Sequence, residues 1–487
     1  MNGTLKRAAV ACIVMFGLLM INVNYLGAVK AGDYSTDNRN QRSFYARYAI
    51  DRGWITADDG KTTLAKTVDT GDKTFRYERE YPNGRMYAHV LGFFAPESAR
   101  GIELNENKLL NGSDPDLVVG RLIDFVSKKP PKGASVDLTL IPAAQKVAYD
   151  KLRASGKRGA VVALNPKNGA IQVMVSLPTY DPNELAIPDR GDVAKAYNKL
   201  AKDDTDPLLN RVTEKTYPPG STFKVVTAAA FLEADRSRDP ETTVPAPQVL
   251  DLPDTTAGLP NYGGAACGSG EVTLRFALER SCNTPFGQMG MDLGWEKMRE
   301  ESAKFGIGEP IQFDLPTADT TIGPEEETAA LAQLSIGQRN NQQTPLQMAQ
   351  IASAIANSGV LMKPTLINKI TDPGGSVIEE LKGEQLTEAL SGEVADELKQ
   401  MMVSVITNGT GTGAQIPGVT VAGKTGTAEA GDAPAPHAWF IGFAPAEDPQ
   451  TAICVFIEAG SAGNDATGGG TAAPLARDVM QAVLEAK

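Results

Sequence analysis

Hydrophobic and polar positions divide the chain into three regimes. Lys6 and Arg7 precede an apolar run over residues 8–21; Asn22 and Asn24 interrupt it and residues 25–29 continue it. A helix over 8–29 is long enough to cross a bilayer, which takes ~20 apolar residues. Basic residues ahead of the run keep the N-terminus cytoplasmic and put everything from about residue 31 outside. A cleaved secretory signal is the competing reading, although no clean small-x-small site follows the run. Residues 31–60 are polar and basic. Residues 60–130 mix short strand-like and helix-like pieces with turn signals such as Pro82-Asn83-Gly84.

A Lys-Lys-Pro-Pro-Lys-Gly break at 128–133 is followed by strand-like alternation over 136–141 and a helix pattern over 142–152. From Gly159 the texture changes. Residues 160–164 and 170–175 read as two strands separated by a loop ending in Asn168-Gly169, a hairpin signal. Three further strands are predicted at 419–422 running on toward Glu429, at 438–444 and at 452–458. Thr471 and Pro474 open a last helix through Glu485. Residues 221–405 between these groups read as mostly helical. Two strands, then helices, then three strands and a helix predict an α/β (α+β) domain: one antiparallel five-stranded sheet flanked by helices. The expected organisation is a cytoplasmic tip and membrane-spanning helix at 1–30, a mixed N-terminal domain at 31–157 and a second domain at 158–487.

Composition narrows the chemistry. Of 487 residues 42% are hydrophobic and 22% charged, which excludes a polytopic membrane protein and a disordered chain. The net charge of −12 argues against broad nucleic-acid binding, which needs a basic face. Only His89 and His437 are available, so a multi-histidine metal site is excluded in practice and the base of an acyl-transfer enzyme is not expected to be histidine. Four cysteines, Cys12, Cys267, Cys282 and Cys454, contain no Cys-x-x-Cys pair.

Three short constellations remain. In Tyr217-Pro218-Pro219-Gly220-Ser221-Thr222-Phe223-Lys224 the prolines and glycine stop any preceding element, and a helix pattern starts at Ser221. A serine there sits where free N–H groups and the helix dipole favour developing negative charge. Lys224 lies one turn on along the same face, and a lysine whose pKa is depressed can take the serine proton. Ser281-Cys282-Asn283 falls on a turn between helical patterns, where a hydroxyl and an amide two apart can relay a proton and hold a peptide amide. Gly423-Lys424-Thr425-Gly426-Thr427 lies on a strand-like segment suited to an anionic terminus. Residues 418–425 also fit the Gly-x4-Gly-Lys-Thr phosphate-loop pattern. The intervening residues are strand formers, Gly426, Gly431, Pro434 and Pro436 forbid the helix that must follow, and no ATP pool exists outside the membrane, so a nucleotide site is rejected. Each constellation alone has an ordinary structural reading: an N-cap serine, a polar turn, a strand.

Ser-x-x-Lys, Ser-x-Asn and Lys-Thr-Gly in this order form the motif set of penicillin-recognising serine enzymes. The sequence resembles the class B penicillin-binding proteins, most closely their actinobacterial A type, over essentially the whole chain. Asn38-Arg39, Arg52-Gly53-x-Ile55, Tyr81-Pro82-x-Gly84, residues 88–92, Gly101-Ile102-Glu103 and Leu110-x-Gly112 resemble the boxes of that family's N-terminal pedestal. Residues 160–165, Pro178-x-Tyr180-Asp181-Pro182-Asn183, Asn210-Arg211, 335–348 and 438–443 resemble its transpeptidase domain. The resemblance implies a non-catalytic pedestal at 31–157 and D,D-transpeptidation of peptidoglycan stem peptides ending in D-Ala-D-Ala, in wall synthesis at division. It implies Ser221 as nucleophile, Lys224 as its base, Ser281 and Lys424 as proton relay and Asn283 as holder of the peptide amide. Thr425, Gly426 and Thr427 would bind the terminal carboxylate, and the backbone N–H groups of Ser221 and Thr427 would form the oxyanion hole. β-Lactams would be covalent inhibitors. No metal, cofactor or nucleotide is implied. The partners implied are a membrane, a separate glycan polymerase and division proteins. Cys267 and Cys282 are either a disulfide bracing the catalytic turn or two small buried thiols. Cys454 is expected in a strand core, Glu458 at a solvated strand end and Glu103 in a structural role. Two alternatives stay open: a D,D-carboxypeptidase or β-lactamase-type hydrolase, and a non-catalytic penicillin sensor or scaffold.

Overall fold

The structure is a computed structural model that describes residues 2–30, 34, 45, 47–95, 98–117, 132–429, 436–460 and 467–486. Asn38-Arg39, the first part of the 128–133 break, Gly431 and Pro434 lie outside the described residues. The chain opens with α1 (Asn2–Ala28), a single helix. Its segment 3–28 is apolar and long enough to cross a membrane, and none of it is buried against the rest of the protein.

Next come β1 (Ile55–Thr56), β2 (Thr63–Asp69), β3 (Tyr77–Glu80) and β4 (Ser135–Leu138). They pair in the order β4-β1-β2-β3. Two strands from far along the chain, β7 (Ile367–Thr371) and β8 (Val377–Glu380), complete six strands in the order β8-β7-β4-β1-β2-β3. Val136 is the register partner of both Ile55 and Ile370. A hairpin from beyond residue 157 thus crosses the expected boundary and pairs with the N-terminal part. Glu103 fixes this region. It is fully buried and takes Nε of Arg52 and of Arg79, each at 2.6 Å, with the Tyr81 hydroxyl at 3.3 Å. A buried carboxylate is tolerated only with such partners.

The larger sheet consists of β5 (Gly159–Leu164), β6 (Ile171–Leu177), β9 (Ala422–Ala428), β10 (His437–Ala444) and β11 (Thr451–Ile457). The order is β9-β10-β11-β5-β6, and every neighbouring pair is antiparallel. All residues of β5, β6, β10 and β11 are buried, which is why apolar residues predominate on both faces of these strands rather than alternating with polar ones. α2 (Pro142–Ala154) and α8 (Ala473–Glu485) cover one face, with Ala144, Leu152, Ala476 and Val479 in the shared core. On the other face lie α3 (Lys224–Glu233), α4 (Leu274–Glu279), α5 (Thr284–Lys304), α6 (Pro345–Ala356) and α7 (Gly392–Thr407). Every residue of α6 is buried.

The expectation of a mostly helical middle needs correction. Thr243–Ala246 pairs with Gly270–Thr273, Val249–Asp251 with Gly258–Pro260, and Val360–Met362 with Gln385–Glu388, besides β7 and β8. These strands are short. Neither Val377–Glu380 nor Gln385–Glu388 has a buried residue, so no period-2 signal marks them.

Candidate active site

Ser221 sits on a 3-10 turn, Gly220–Phe223, that runs directly into α3. Gly220 takes φ 55°, and a Cβ there would lie 2.6 Å from Thr427 O. A Cβ on Gly426 would lie 2.9 Å from Thr222 Cγ2 and 3.0 Å from Pro219 O. The two glycines let the serine turn lie against the outer edge of β9, a close approach no larger residue permits.

Lys224, the first residue of α3, is fully buried without a carboxylate beside it. Its Nζ donates to Ser281 O at 2.7 Å and Asn283 Oδ1 at 2.8 Å, with Ser281 Oγ at 3.5 Å. Burial, and secondarily the neighbouring Lys424, hold this amine well below the usual lysine pKa. Lys424 on β9 is also fully buried. It donates to Ser281 Oγ at 2.8 Å and Thr425 O at 2.9 Å, and burial lowers its pKa to about 7.

The Ser281–Asn283 turn joins α4 to α5, and Ser281 adopts a left-handed φ of 59°. Several contacts fix that unusual backbone. Asn261 Oδ1 accepts from the N–H groups of Asn283 at 2.7 Å and Thr284 at 3.1 Å, and Asn283 Nδ2 donates to Pro260 O at 3.0 Å. Cys282, between the two motif residues, forms a disulfide with Cys267. On β9, Thr425 Oγ1 is 2.6 Å from Thr410 Oγ1. Ser221, Asn283, Thr425, Gly426 and Thr427 line an open cleft of about 1270 Å³, while the two lysines lie beneath its surface.

All eight residues expected from the three motifs therefore converge on one cleft. Sequence reasoning missed Asn261 and Thr410. Asn261 precedes a flexible Tyr-Gly-Gly and Thr410 lies between two glycines, so both look like ordinary loop residues. Glu458 is a correction. It is not solvated but 8% exposed, paired with Arg211 at 2.9 Å, Lys215 at 3.2 Å and Arg158 at 3.4 Å. It clamps the end of β11 to the 205–217 segment. Cys454 is buried in β11.

Both histidines lie away from the cleft lining. His437 Nδ1 accepts from the Ala459 N–H at 3.0 Å, and burial lowers its pKa to about 4; burial lowers that of His89 to about 3. The lysine of the apparent phosphate-loop pattern lies mid-strand, in register with Ile441, and β9 continues through Ala428. Among the described residues no group of three or more His, Cys, Asp or Glu side chains is arranged to hold a metal ion.

A family model described as the penicillin binding protein transpeptidase domain matches residues 159–481, and one described as the penicillin binding protein A dimerisation domain matches residues 52–136. The chain is 44% identical to the peptidoglycan D,D-transpeptidase PbpA of Mycolicibacterium smegmatis over 99% of both chains. It is 41% identical to the protein of the same name from Mycobacterium tuberculosis, over 100% of this chain and 99% of the relative. The structure of penicillin-binding protein A from M. tuberculosis as a ceftriaxone acyl-enzyme superposes with a TM-score of 0.86 at 42% identity, covering 90% of this chain and 100% of that one. The motif cleft, the fold and these full-length matches agree, and the chain belongs to the class B penicillin-binding proteins, in the PbpA-like branch of the penicillin-binding transpeptidase family.

Proposed function

We propose that this chain is a membrane-anchored peptidoglycan D,D-transpeptidase that cross-links stem peptides through an acyl-enzyme on Ser221. The observation that carries the reading is the setting of Lys224. A neutral amine has two N–H donors and one lone pair. Ser281 O and Asn283 Oδ1 accept the two donors at short range, which leaves the lone pair for the Ser221 proton. Burial, and secondarily Lys424, hold this amine well below the usual lysine pKa, which favours its neutral form.

Ser221 Oγ attacks the carbonyl carbon of the penultimate D-Ala, and its proton passes to Lys224 Nζ. The backbone N–H groups of Ser221 and Thr427 hold the oxyanion. The C–N bond then breaks. The departing D-Ala amine takes a proton from Ser281 Oγ, which is resupplied by the lysine amines bonded to it. Asn283 holds the peptide amide, and the hydroxyls of Thr425 and Thr427 hold the departing carboxylate, with Gly426 keeping the strand close. An amine from a second stem peptide attacks the ester, gives its proton to Lys224, and the proton returns to Ser221 as the serine leaves. A β-lactam enters by the first step and stays as the ester.

In this reading α1 anchors the protein, and residues 31–157 form a pedestal beneath a catalytic domain at 158–487, both outside the membrane. Glycan strands come from a separate polymerase, with division proteins as partners. The test is intact-mass spectrometry of the detergent-solubilised full chain with excess penicillin. A lasting one-drug adduct that disappears in Ser221→Ala is the expected result. Rapid drug consumption without an adduct would instead establish the hydrolase, and neither adduct nor consumption would leave the sensor or scaffold.

A further inference from the structure

Arg280, the residue before Ser281, is exposed at the lip of the catalytic cleft. Its side chain has no ion-pair or hydrogen-bond partner among the described residues. That is unusual in a chain with 59 acidic and 47 basic residues. Nearby arginines are paired: Arg275 with Glu241 at 2.6 Å, Arg339 with Glu326 at 3.1 Å and Arg299 with Glu325 at 3.5 Å. The acid adjacent in sequence, Glu279, is turned away and accepts from Ser404 Oγ at 2.5 Å.

The position of Arg280 is fixed by its neighbours. Glu279 O accepts the Thr410 N–H at 3.3 Å, so the 279–281 backbone lies against the 410 loop. Thr410 Oγ1 in turn is 2.6 Å from Thr425 Oγ1. Arg280 therefore lines the cleft beside the loop that carries Thr410, one of the two paired hydroxyls. Of the other charged groups lining the cleft, Arg339 is held by Glu326 and Glu429 is an acid. We propose that Arg280 is a specificity-determining residue for an anionic C-terminus: its charge draws the carboxylate of the incoming peptide to the Thr410–Thr425 wall.

The physical case is as follows. Hydroxyls alone distinguish a carboxylate from a carboxamide only weakly, because both present acceptor oxygens. A fixed charge at the mouth of a cleft with low-dielectric walls raises the local concentration of an oppositely charged ligand. Lys424 is a less dependable source of that charge, since burial lowers its pKa to about 7. Arginine is charged at every relevant pH.

This inference rests on the transpeptidase reading, and the experiment separates the two. A D-alanyl thioester whose leaving group carries a carboxylate is compared with its carboxamide counterpart, using the full-length protein at low and high salt. Arg280→Gln is expected to lower kcat/KM for the carboxylate substrate about three- to tenfold at low salt, mainly through KM. The carboxamide should be unaffected, the difference should shrink at high salt, and Arg280→Lys should restore most of the loss. Equal loss on both substrates would overturn the proposal in favour of a structural role in the turn. No loss on either would reduce Arg280 to a solvated surface charge. If the parent protein turns over neither thioester and forms no Ser221 adduct with penicillin, the transpeptidase reading itself fails; an adduct without Arg280 dependence sinks only this inference.

Discussion

Lys224 and Lys424 meet at a single hydroxyl, one from a helix and one from a strand: their amines lie 3.5 and 2.8 Å from Ser281 Oγ. Two buried cations this close do not both stay charged. Lys224 is pushed down both by burial and by its neighbour Lys424, which suits it to the role of base, while Lys424 can carry the proton.

The first prediction is a bell-shaped pH dependence of acylation by penicillin. Lys224 must be neutral, so the rate falls on the acid side as that amine protonates. Lys424 supplies a proton and a positive charge, so the rate falls on the alkaline side as it deprotonates, starting near its pKa of about 7. The two amines titrate as a coupled pair, and the limbs belong to the pair. Lys424→Arg keeps the charge at all pH. It should lower the maximum but abolish the alkaline limb in stopped-flow acylation. An unchanged alkaline limb in that variant would show that another group controls it.

The same lysine should be a stability burden. Its folded pKa of about 7 lies below the ordinary lysine value of 10.5. Between those values the unfolded chain binds more protons, so this group makes stability rise with pH across that window, and below about pH 7 the full penalty is present. The penalty is on the order of a few kcal/mol at one pKa unit per about 1.4 kcal/mol. Lys424→Met should therefore raise the thermal midpoint at pH 7 while destroying acylation. Its advantage over the parent should narrow toward pH 10. A destabilised Met variant would mean that the hydrogen bonds to Ser281 and Thr425 outweigh the burial of charge.

Much of this site was legible because each motif puts its chemistry within a few residues. Ser221 and Lys224 share a helix turn, Ser281 and Asn283 a tight turn, and Lys424 to Thr427 one strand. The apolar runs of β5, β6, β10 and β11 were legible because both sheet faces are covered. What could not be read was contact between distant, polar segments. Asn261 and Thr410 act through hydrogen bonds to backbone and to a hydroxyl, which leave no periodicity. β7 pairs with residues more than 200 positions earlier, and β8 with β7. Glu458 was misjudged because a carboxylate at a strand end looks solvated until Arg211 is brought to it by the fold.

The Cys267–Cys282 bridge closes a loop with a sequence separation of 15, for which chain entropy predicts about 3 kcal/mol. Cys282 lies between Ser281 and Asn283, and Ser281 holds a left-handed φ that the bridge helps fix. The double variant Cys267→Ser with Cys282→Ser should unfold about 2–3 kcal/mol more easily. Its acylation rate should fall by about an order of magnitude, since small misplacement of catalytic groups is expensive. A loss of stability with undiminished acylation would show that Asn261 alone suffices to hold the turn.

The placement of the domain boundary can be tested by truncation. A chain starting at residue 158 would lack α2 and β4. Gln145 on α2 donates from Nε2 to Met174 O and accepts at Oε1 from Met174 N–H, both at 2.8 Å, so the helix satisfies the main chain of the edge strand β6. Ala144, Ala148 and Leu152 cover the apolar face beneath it. Removing α2 bares both an unpaired edge and a core face, and removing β4 strips β7 of its partner, a pattern that invites aggregation. A chain of residues 132–487 keeps all three contacts. It should be soluble and form the penicillin adduct, whereas residues 158–487 should aggregate or unfold at markedly lower temperature. Equal solubility and equal acylation of the two would place the functional boundary at 158, and α2 would then belong with the pedestal rather than with the catalytic sheet it covers.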